Sequence, residues 1–273
     1  MELRRTLAER FLRRNLKSVK GPILEVGPGT GRFSPLLLST GAPTVLLDLS
    51  RPMLRASRSH LRRQGLATRP WGYVLGAAEG FRPFREGSFG AVVIVGLFGF
   101  FSHEGDRLIE AAFRLLRPGG CLVLEGVGPS NATFEIFATA SAKTRRIYRD
   151  PHQYHFWSVV RTGYQPFDPK RFAPWEFRFW RAPQLTRALE REGFEVVERM
   201  ALAPTLGNQP EALRIYHRDR KAWKTLLLGE EEMGHWEECL GVGPTYLVAA
   251  RRPRRGPRRS VRRRPVSPRT SRG

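Results

Sequence analysis

A glycine-rich segment near the start of the chain has the residue types of a nucleotide-binding turn. Residues 25–31 read E-V-G-P-G-T-G, after the apolar run 22–24 and before a helix-like segment at 32–39. α/β proteins bind adenosine-type cofactors at such a turn between a strand and a helix. Gly27 and Gly29 can adopt backbone conformations closed to other residues, so that a ligand can approach the chain closely. We therefore expect a cofactor site at this turn.

The spacing of the glycines and two nearby acids narrow the choice of cofactor. Gly31 comes one position earlier than the third glycine of the dinucleotide fingerprint G-x-G-x-x-G, and it should let the following helix pack close to the sheet. Glu25 would repel a pyrophosphate but attract a ligand that carries an ammonium group. Asp48 ends a second apolar run, where a carboxylate can accept hydrogen bonds from ribose hydroxyls. Glu25, and Arg32 at the place of the third dinucleotide glycine, disfavour a nicotinamide oxidoreductase.

Strands and helices alternate along the chain and position these residues. Apolar runs predict strands at 23–26, 44–49, 71–75, 90–95, 121–126, 194–199 and 244–250. Helical spacing predicts helices at 2–19, 32–39, 51–64, 105–116 and 183–192, the third with Ser50 as its N-cap. The alternation predicts a doubly wound α/β fold with a mostly parallel, seven-stranded sheet. Ligands bind such a sheet beyond the carboxyl ends of its strands.

Four blocks of sequence, in the same order, resemble a known family. They are E-V-G-P-G-T-G at 25–31, L-L-D-L-S-x-x-M-L at 46–54, P-F-R-E-G-S-F at 83–89 and L-L-R-P-G-G at 115–120. Together they resemble the class I S-adenosylmethionine (SAM)-dependent methyltransferases, and most of all the branch that methylates small molecules, including quinone precursors. The resemblance covers roughly residues 20–128, and it implies a Rossmann-like methyltransferase fold with SAM as the cofactor.

The resemblance also implies roles for the residues of the glycine-rich turn and the second strand. Gly27, Gly29 and Gly31 would surround the methionine part of SAM, and Glu25 would help to position its amino group. Asp48 would bind the ribose hydroxyls. An alternative for Asp48 is that it only caps the turn that follows it.

The resemblance implies that the adenine lies against apolar side chains. Leu49 and Met53 would pack on the ring, although Met53 is also compatible with an ordinary core position. Family members usually have an acid after the third strand that accepts the adenine amino group. Ala78 stands near that position and Glu79 is the nearest acid, which is equally compatible with a solvated loop. Gly96 follows the fourth strand at the same edge of the sheet.

Two segments interrupt the alternating pattern and are expected to form the acceptor site. Residues 128–181 are rich in aromatic and basic side chains, and residues 201–243 form a second insertion. We predict that both form a lid, aromatic in the first insertion, with Tyr154 and Trp157 as candidate substrate contacts. The alternative for most of these aromatics is that they form the core of the lid itself.

Methyl transfer to a weak nucleophile such as a phenol would need a base. His103, just past the fourth strand, is the candidate, with His152 and His155 as alternatives. No metal site is predicted, because Cys121 and Cys239 form no ligand cluster.

The predicted acceptor is a small or lipid-like molecule, methylated on oxygen or carbon. An RNA methyltransferase is the first alternative, supported by the net charge of +22. A non-catalytic binding module that keeps the fold is the second. The motifs that position base nucleophiles are absent, since G-L-F-G stands at 96–99 where Asn/Asp-Pro-Pro-aromatic would be, and no Pro-Cys pair occurs. Both absences favour a small molecule.

Charge and composition divide the chain into three parts. Residues 1–20 predict a basic amphipathic helix on the domain edge, or alternatively one that lies on a membrane or caps the pocket. Residues 21–250 form the predicted domain. Residues 251–273 contain eleven Arg and no acid, so we expect a disordered tail with non-specific RNA or anionic-lipid contacts. The two cysteines fit a reducing cytoplasm, and no apolar stretch reaches the roughly 18 residues of a membrane span.

Overall fold

A seven-stranded sheet lies at the centre of the protein. The structure, a computed structural model, describes residues 2–78, 84–130, 156–168, 175–207 and 209–254. Its strands are β1 (Ile23–Val26), β2 (Thr44–Asp48), β3 (Gly72–Leu75), β4 (Phe89–Ile94), β5 (Leu116–Gly126), β6 (Tyr164–Gln165), β7 (Phe177–Arg178), β8 (Glu195–Leu202) and β9 (Thr245–Arg251). The order in the main sheet is β3-β2-β1-β4-β5-β9-β8. The strands β1 to β5 are parallel and β9 is antiparallel to both neighbours, which confirms the predicted mostly parallel sheet.

Helices cover both faces of this sheet. They are α1 (Glu2–Leu16), α2 (Ser34–Ser39), α3 (Arg51–Arg63), α4 (Gly105–Leu115), α5 (Phe156–Thr162), α6 (Ala182–Glu192), α7 (Pro210–His217) and α8 (Arg220–Gly234). Residues of α4 and α6 belong to the core on one face, and residues of α1, α2 and α8 to the core on the other. Because both faces are covered, every residue of β4 is buried. Ser50 caps α3 as predicted, with its Oγ accepting the Met53 N–H at 3.4 Å.

Helix α1 packs on the sheet through its apolar stripe. Buried side chains on this stripe are Leu3, Leu7, Phe11, Leu12 and Leu16. Arg14 forms ion pairs with Glu198 of β8 and with Glu231 of α8, the second at 2.9 Å. Arg10 also pairs with Glu231, at 2.6 Å. The interpretation in which this helix lies with its apolar face on a membrane is therefore wrong, since the sheet already buries that face.

The second insertion adds to the same helical layer. Helix α8 contacts α1 and β8, and Leu213 of α7 and Leu227 of α8 belong to the core that α1 covers. The buried carboxylate of Glu230 accepts hydrogen bonds from Thr205 Oγ1 at 2.6 Å and from the Leu206 N–H at 2.8 Å. Helices α7 and α8 thus pack on a face of the sheet, and a lid formed by this insertion stays a prediction.

The last strand extends past the predicted domain boundary at residue 250. Arg252 donates hydrogen bonds to the carbonyl oxygens of Phe113 at 2.9 Å and Leu116 at 2.6 Å, and its backbone pairs with Gly119 and Gly120. Arg251 and Arg252 therefore belong to the folded domain, while residues 255–273 of the predicted tail lie outside the described residues. No helix in the described ranges combines the length and apolar character that crossing a bilayer requires.

Candidate functional site

A cleft of about 240 Å³ opens beyond the carboxyl ends of β1, β2, β3 and β4. Four residues that the sequence predicted as cofactor contacts line it, namely Gly27, Asp48, Leu49 and Ala78. Leu97, Phe100 and Phe101, which follow β4, complete its wall and were not predicted. The cleft lies at the edge of the sheet where ligands of open α/β folds bind.

The glycine-rich turn approaches the opposite wall of the cleft closely. Gly27 has a φ of +65°, and a Cβ there would lie 2.5 Å from Cδ2 of Leu97. Gly29 also has a positive φ, of +54°, with open space around it. Gly31 has a φ of +84°, and a Cβ there would lie 2.9 Å from Oγ of Ser57 in α3. The expected reason for Gly31 is thus wrong, because it allows close packing of the turn on α3 and not of a helix on the sheet.

Asp48 combines the two roles that the sequence left open. Its Oδ1 accepts the Ser50 N–H at 2.8 Å and so caps the turn before α3. Its Oδ2 has no hydrogen-bond donor among the described residues, and the half-buried side chain lines the cleft. Beside it, Leu49 is 73% exposed, while the partly exposed Met53 lies outside the cleft lining. One oxygen of Asp48 is therefore available to a ligand.

Glu25 lies behind the turn and does not line the cleft. Its side chain is buried on the face of the sheet that α1 and α2 cover, and its Oε2 accepts a hydrogen bond from Ser34 Oγ at 2.6 Å. Burial raises the pKa of Glu25 to about 7, against the opposing effect of the Ser34 hydroxyl. A cationic group near the turn would stabilise the ionised form of this carboxylate.

A second, half-buried acid at the same edge was missed by the sequence analysis. Glu125 lies at the end of β5, on the same face as Glu25, and its Oε2 would be 3.8 Å from a Cβ on Gly96. Burial raises its pKa, against the opposing effects of Thr245 and the Gly96 backbone. The sequence does contain a signal for Glu125, since this acid ends the apolar run L-V-L-E at 122–125, within the strand predicted after the fourth.

His103, the predicted base, lies outside the cleft lining. Its side chain is 67% exposed, and Nε2 is 3.1 Å from the Tyr164 hydroxyl and 3.7 Å from Oε2 of Glu176. Ser102 Oγ donates to Glu176 at 2.8 Å and the Tyr164 hydroxyl donates at 3.1 Å, and these two donors lower the pKa of Glu176. The structure places His103 in a hydrogen-bond network that joins the loop after β4 to β6 and the segment before β7.

Aromatic side chains of the first insertion pack against the cleft wall. The ring of Phe100 lies 5.0 Å from that of Phe177 and 6.3 Å from that of Trp175. Trp157, a predicted substrate contact, is instead partly exposed on α5, with the Arg161 guanidinium 5.2 Å from its ring. Other predicted residues lie outside the described residues: Glu79, His152, Tyr154 and His155.

Comparison with known proteins agrees with this geometry. Residues 24–124 match the model of a family described as a methyltransferase domain. This segment is similar to methyltransferase domains. Its predicted resemblance to that family is confirmed.

Relatives of the methyltransferase domain are named for quinone biosynthesis. The demethylmenaquinone methyltransferase of Tropheryma whipplei is 34% identical over 103 residues, which are 37% of this chain and 40% of the relative. The ubiquinone biosynthesis O-methyltransferase of Xanthomonas oryzae pv. oryzae is 27% identical over 135 residues, 48% of this chain and 54% of the relative. The matches thus span about half or less of these relatives.

One solved structure is similar in fold to this protein well beyond residues 24–124. A SAM-dependent methyltransferase from Methanosarcina mazei superposes with a TM-score of 0.58, covering 89% of this chain and 97% of that one. Its sequence identity is 18%, so this likeness shows the fold alone. It confirms the Rossmann-like methyltransferase fold that the sequence predicted.

Proposed function

We propose that this chain is a SAM-dependent methyltransferase that transfers a methyl group to a small or lipid-like acceptor, on oxygen or carbon. The observation that carries the proposal is the convergence of Gly27, Asp48, Leu49 and Ala78 on one cleft. These residues come from the ends of three different strands, in a domain whose relatives are methyltransferases.

The chemistry of the cleft fits the parts of SAM. The free Oδ2 of Asp48 is an acceptor for ribose hydroxyls, and the exposed Leu49 offers an apolar surface to a purine. The ionised Glu25 would be stabilised by an ammonium group, although the contact could only be indirect in this geometry. The volume of about 240 Å³ is slightly below the roughly 300 Å³ of small pockets, and so suits the nucleoside part of the cofactor.

The protein would accelerate the reaction mainly by positioning the reactants, and less by stabilising charge. SAM supplies a methyl group bound to a positively charged sulfur, which leaves as a neutral thioether. The protein therefore needs mainly to hold the acceptor in line with that methyl group and to exclude water. Phe100 and Phe101 stand on the cleft wall and Phe177 packs behind Phe100, which suits both tasks.

Proton transfer has two candidate groups. His103 stays a candidate base because its imidazole is exposed and it closely follows Phe101 of the cleft wall in sequence. To act on the acceptor, its side chain would have to turn away from Tyr164. Glu125 is the second, since it is a half-buried carboxyl beside Gly96 at the ends of β4 and β5. A carbon or phenol acceptor would need one of them.

The names of the relatives support a quinone precursor as the acceptor. The aromatic surface formed by Phe100, Trp175 and Phe177 would suit its flat ring. Contacts from Tyr154 and Trp157 stay predictions, as do a cytoplasmic location and RNA or anionic-lipid contacts of the tail beyond residue 254.

Calorimetric titration of the full chain with SAM and, separately, with NAD tests the cofactor. We expect SAM to bind, and Asp48→Ala to weaken it while the chain stays folded, with only the small fall in melting temperature that losing the acceptor of the Ser50 N–H causes. Methyl-labelled SAM incubated with demethylmenaquinone, and with fractionated cell extract, then tests the acceptor. Binding of NAD in place of SAM would refute the proposal, and label in the RNA fraction alone would replace the acceptor class.

A further inference from the structure

Helix α3 carries a straight row of arginines. Arg51, Arg55, Arg58 and Arg62 occur at i, i+4, i+7 and i+11, which places them on one face of the helix, and all four are exposed. The helix contains no acidic residue. The row therefore presents four positive charges along one line of the surface.

A second row, of large apolar side chains, runs beside it on the edge strand β3. Tyr73 packs on the core beneath α3, so Leu75, two residues further along β3, points to the same side, and Trp71 immediately precedes the strand. Trp71 is 70% exposed and Leu75 is 48% exposed. The Arg58 guanidinium lies 5.7 Å from the centre of the Tyr73 ring, which shows that the two rows are adjacent. We call this two-row area the α3/β3 surface.

Three arginines of this surface have no acidic partner in the described part of the chain. Among the described residues, no carboxylate lies within ion-pair distance of Arg51, Arg55 or Arg62, whereas Arg14 and Arg199 pair with glutamates. Charges that the fold does not neutralise create a positive potential that favours an anionic partner.

We propose that the α3/β3 surface binds the anionic face of a phospholipid bilayer. The arginine row would contact lipid phosphates, while Trp71 and Leu75 enter the interfacial region, the depth that tryptophan prefers. The exposed aliphatic side chains favour a bilayer over RNA, because Leu75 and the neighbouring Leu49 have no aromatic face on which a base could stack. The proposal does not depend on the reaction in the cleft.

Co-sedimentation of the full chain with vesicles tests the proposal. One set contains phosphatidylcholine alone, and the other contains phosphatidylcholine mixed with phosphatidylglycerol. The test variant is Arg55→Gln/Arg62→Gln, and the matched control is Arg107→Gln/Arg187→Gln. The control changes the net charge equally but replaces exposed residues of α4 and α6, on the opposite face of the sheet. The arginine-rich tail is present in every variant, so its contribution cancels.

We expect the test variant to partition about 30-fold more weakly into the anionic vesicles, from two lost contacts with an anionic surface. The control should partition like the wild type, and neither should bind phosphatidylcholine strongly. Equal weakening of both variants would show that net charge alone is responsible and would overturn the proposal, as would no weakening of either. Thermal melts confirm that these surface changes leave the fold intact.

Two further measurements separate a bilayer from other partners. Brominated lipids should quench part of the tryptophan fluorescence in the wild type, and less of it in Trp71→Phe. Equal quenching in both would mean that Trp71 does not enter the bilayer and would contradict the proposed orientation. If the test variant loses binding to poly(U) RNA but keeps its vesicle binding, the surface is a nucleic-acid site and the proposal is wrong.

Discussion

Glu25→Gln should stabilise the ligand-free protein at alkaline pH. The pKa of Glu25 is raised from 4.5 to about 7, mainly by burial. The folded protein therefore keeps a proton that the unfolded chain has released between these values, so the free energy of unfolding falls as the pH rises through this window. At about 1.4 kcal/mol for each pKa unit, the full loss above pH 7 is about 3 kcal/mol. Glutamine carries no charge and avoids this loss.

Urea unfolding of wild type and Glu25→Gln, from pH 5 to pH 8.5, measures the effect. The two should have similar stability at pH 5, and the variant should gain progressively until it is about 3 kcal/mol more stable at pH 8.5. The amide oxygen can still accept the Ser34 hydroxyl, so that the hydrogen bond at 2.6 Å is kept. Ser34→Ala is the control, since it removes that donor and should destabilise the protein most where Glu25 is ionised.

The same variant tests whether this buried charge serves the cofactor. If the ammonium group of SAM offsets the charge of Glu25, SAM should bind Glu25→Gln more weakly than the wild type at pH 8. Parallel stability profiles of the two proteins across the whole pH range would refute the reasoning on burial. If Glu25→Gln is more stable but binds SAM with unchanged affinity, only the role of Glu25 in SAM binding is refuted.

Three further substitutions test the cleft and the packing around it. Asp48→Asn should weaken SAM binding about 10-fold to 100-fold in calorimetry, from one lost charge-assisted hydrogen bond of about 1.5–3 kcal/mol, and unchanged affinity would contradict its role. Gly27→Ala and Gly41→Ala, at φ values of +65° and +78°, should each cost roughly 1–2 kcal/mol in urea unfolding. Only Gly27→Ala should also weaken SAM binding, because only there does a Cβ meet Leu97. Glu230→Ala should cost roughly 1–3 kcal/mol in urea unfolding, since it removes the buried acceptor that Thr205 and Leu206 share, and no measurable loss would contradict this.

Local signals predicted the elements well and their ends less well. The run 90–95 predicted β4, which spans Phe89–Ile94, and Ser50 correctly marked the start of α3. The helix predicted at 32–39 begins only at Ser34, because the glycine-rich turn extends further along the chain than the sequence pattern suggests. The insertion of β9 between β5 and β8 was not predicted. Strands that follow one another in sequence, such as β8 and β9, often pair, whereas the pairing of β9 with β5 joins strands that α5 to α8 separate along the chain.

Residue type and spacing were sufficient to determine the kind of cofactor turn, the acid that follows the second strand and the alternation that gives a parallel sheet. These features depend on backbone preferences and side-chain periodicity within short segments. The tertiary structure alone decided that Leu97 and Phe100 face Gly27 and Asp48, that His103 lies outside the cleft, and that Tyr73 of β3 lies beside Arg58 of α3. Such neighbours are set by the order and register of the strands, which non-local packing determines and no short segment encodes.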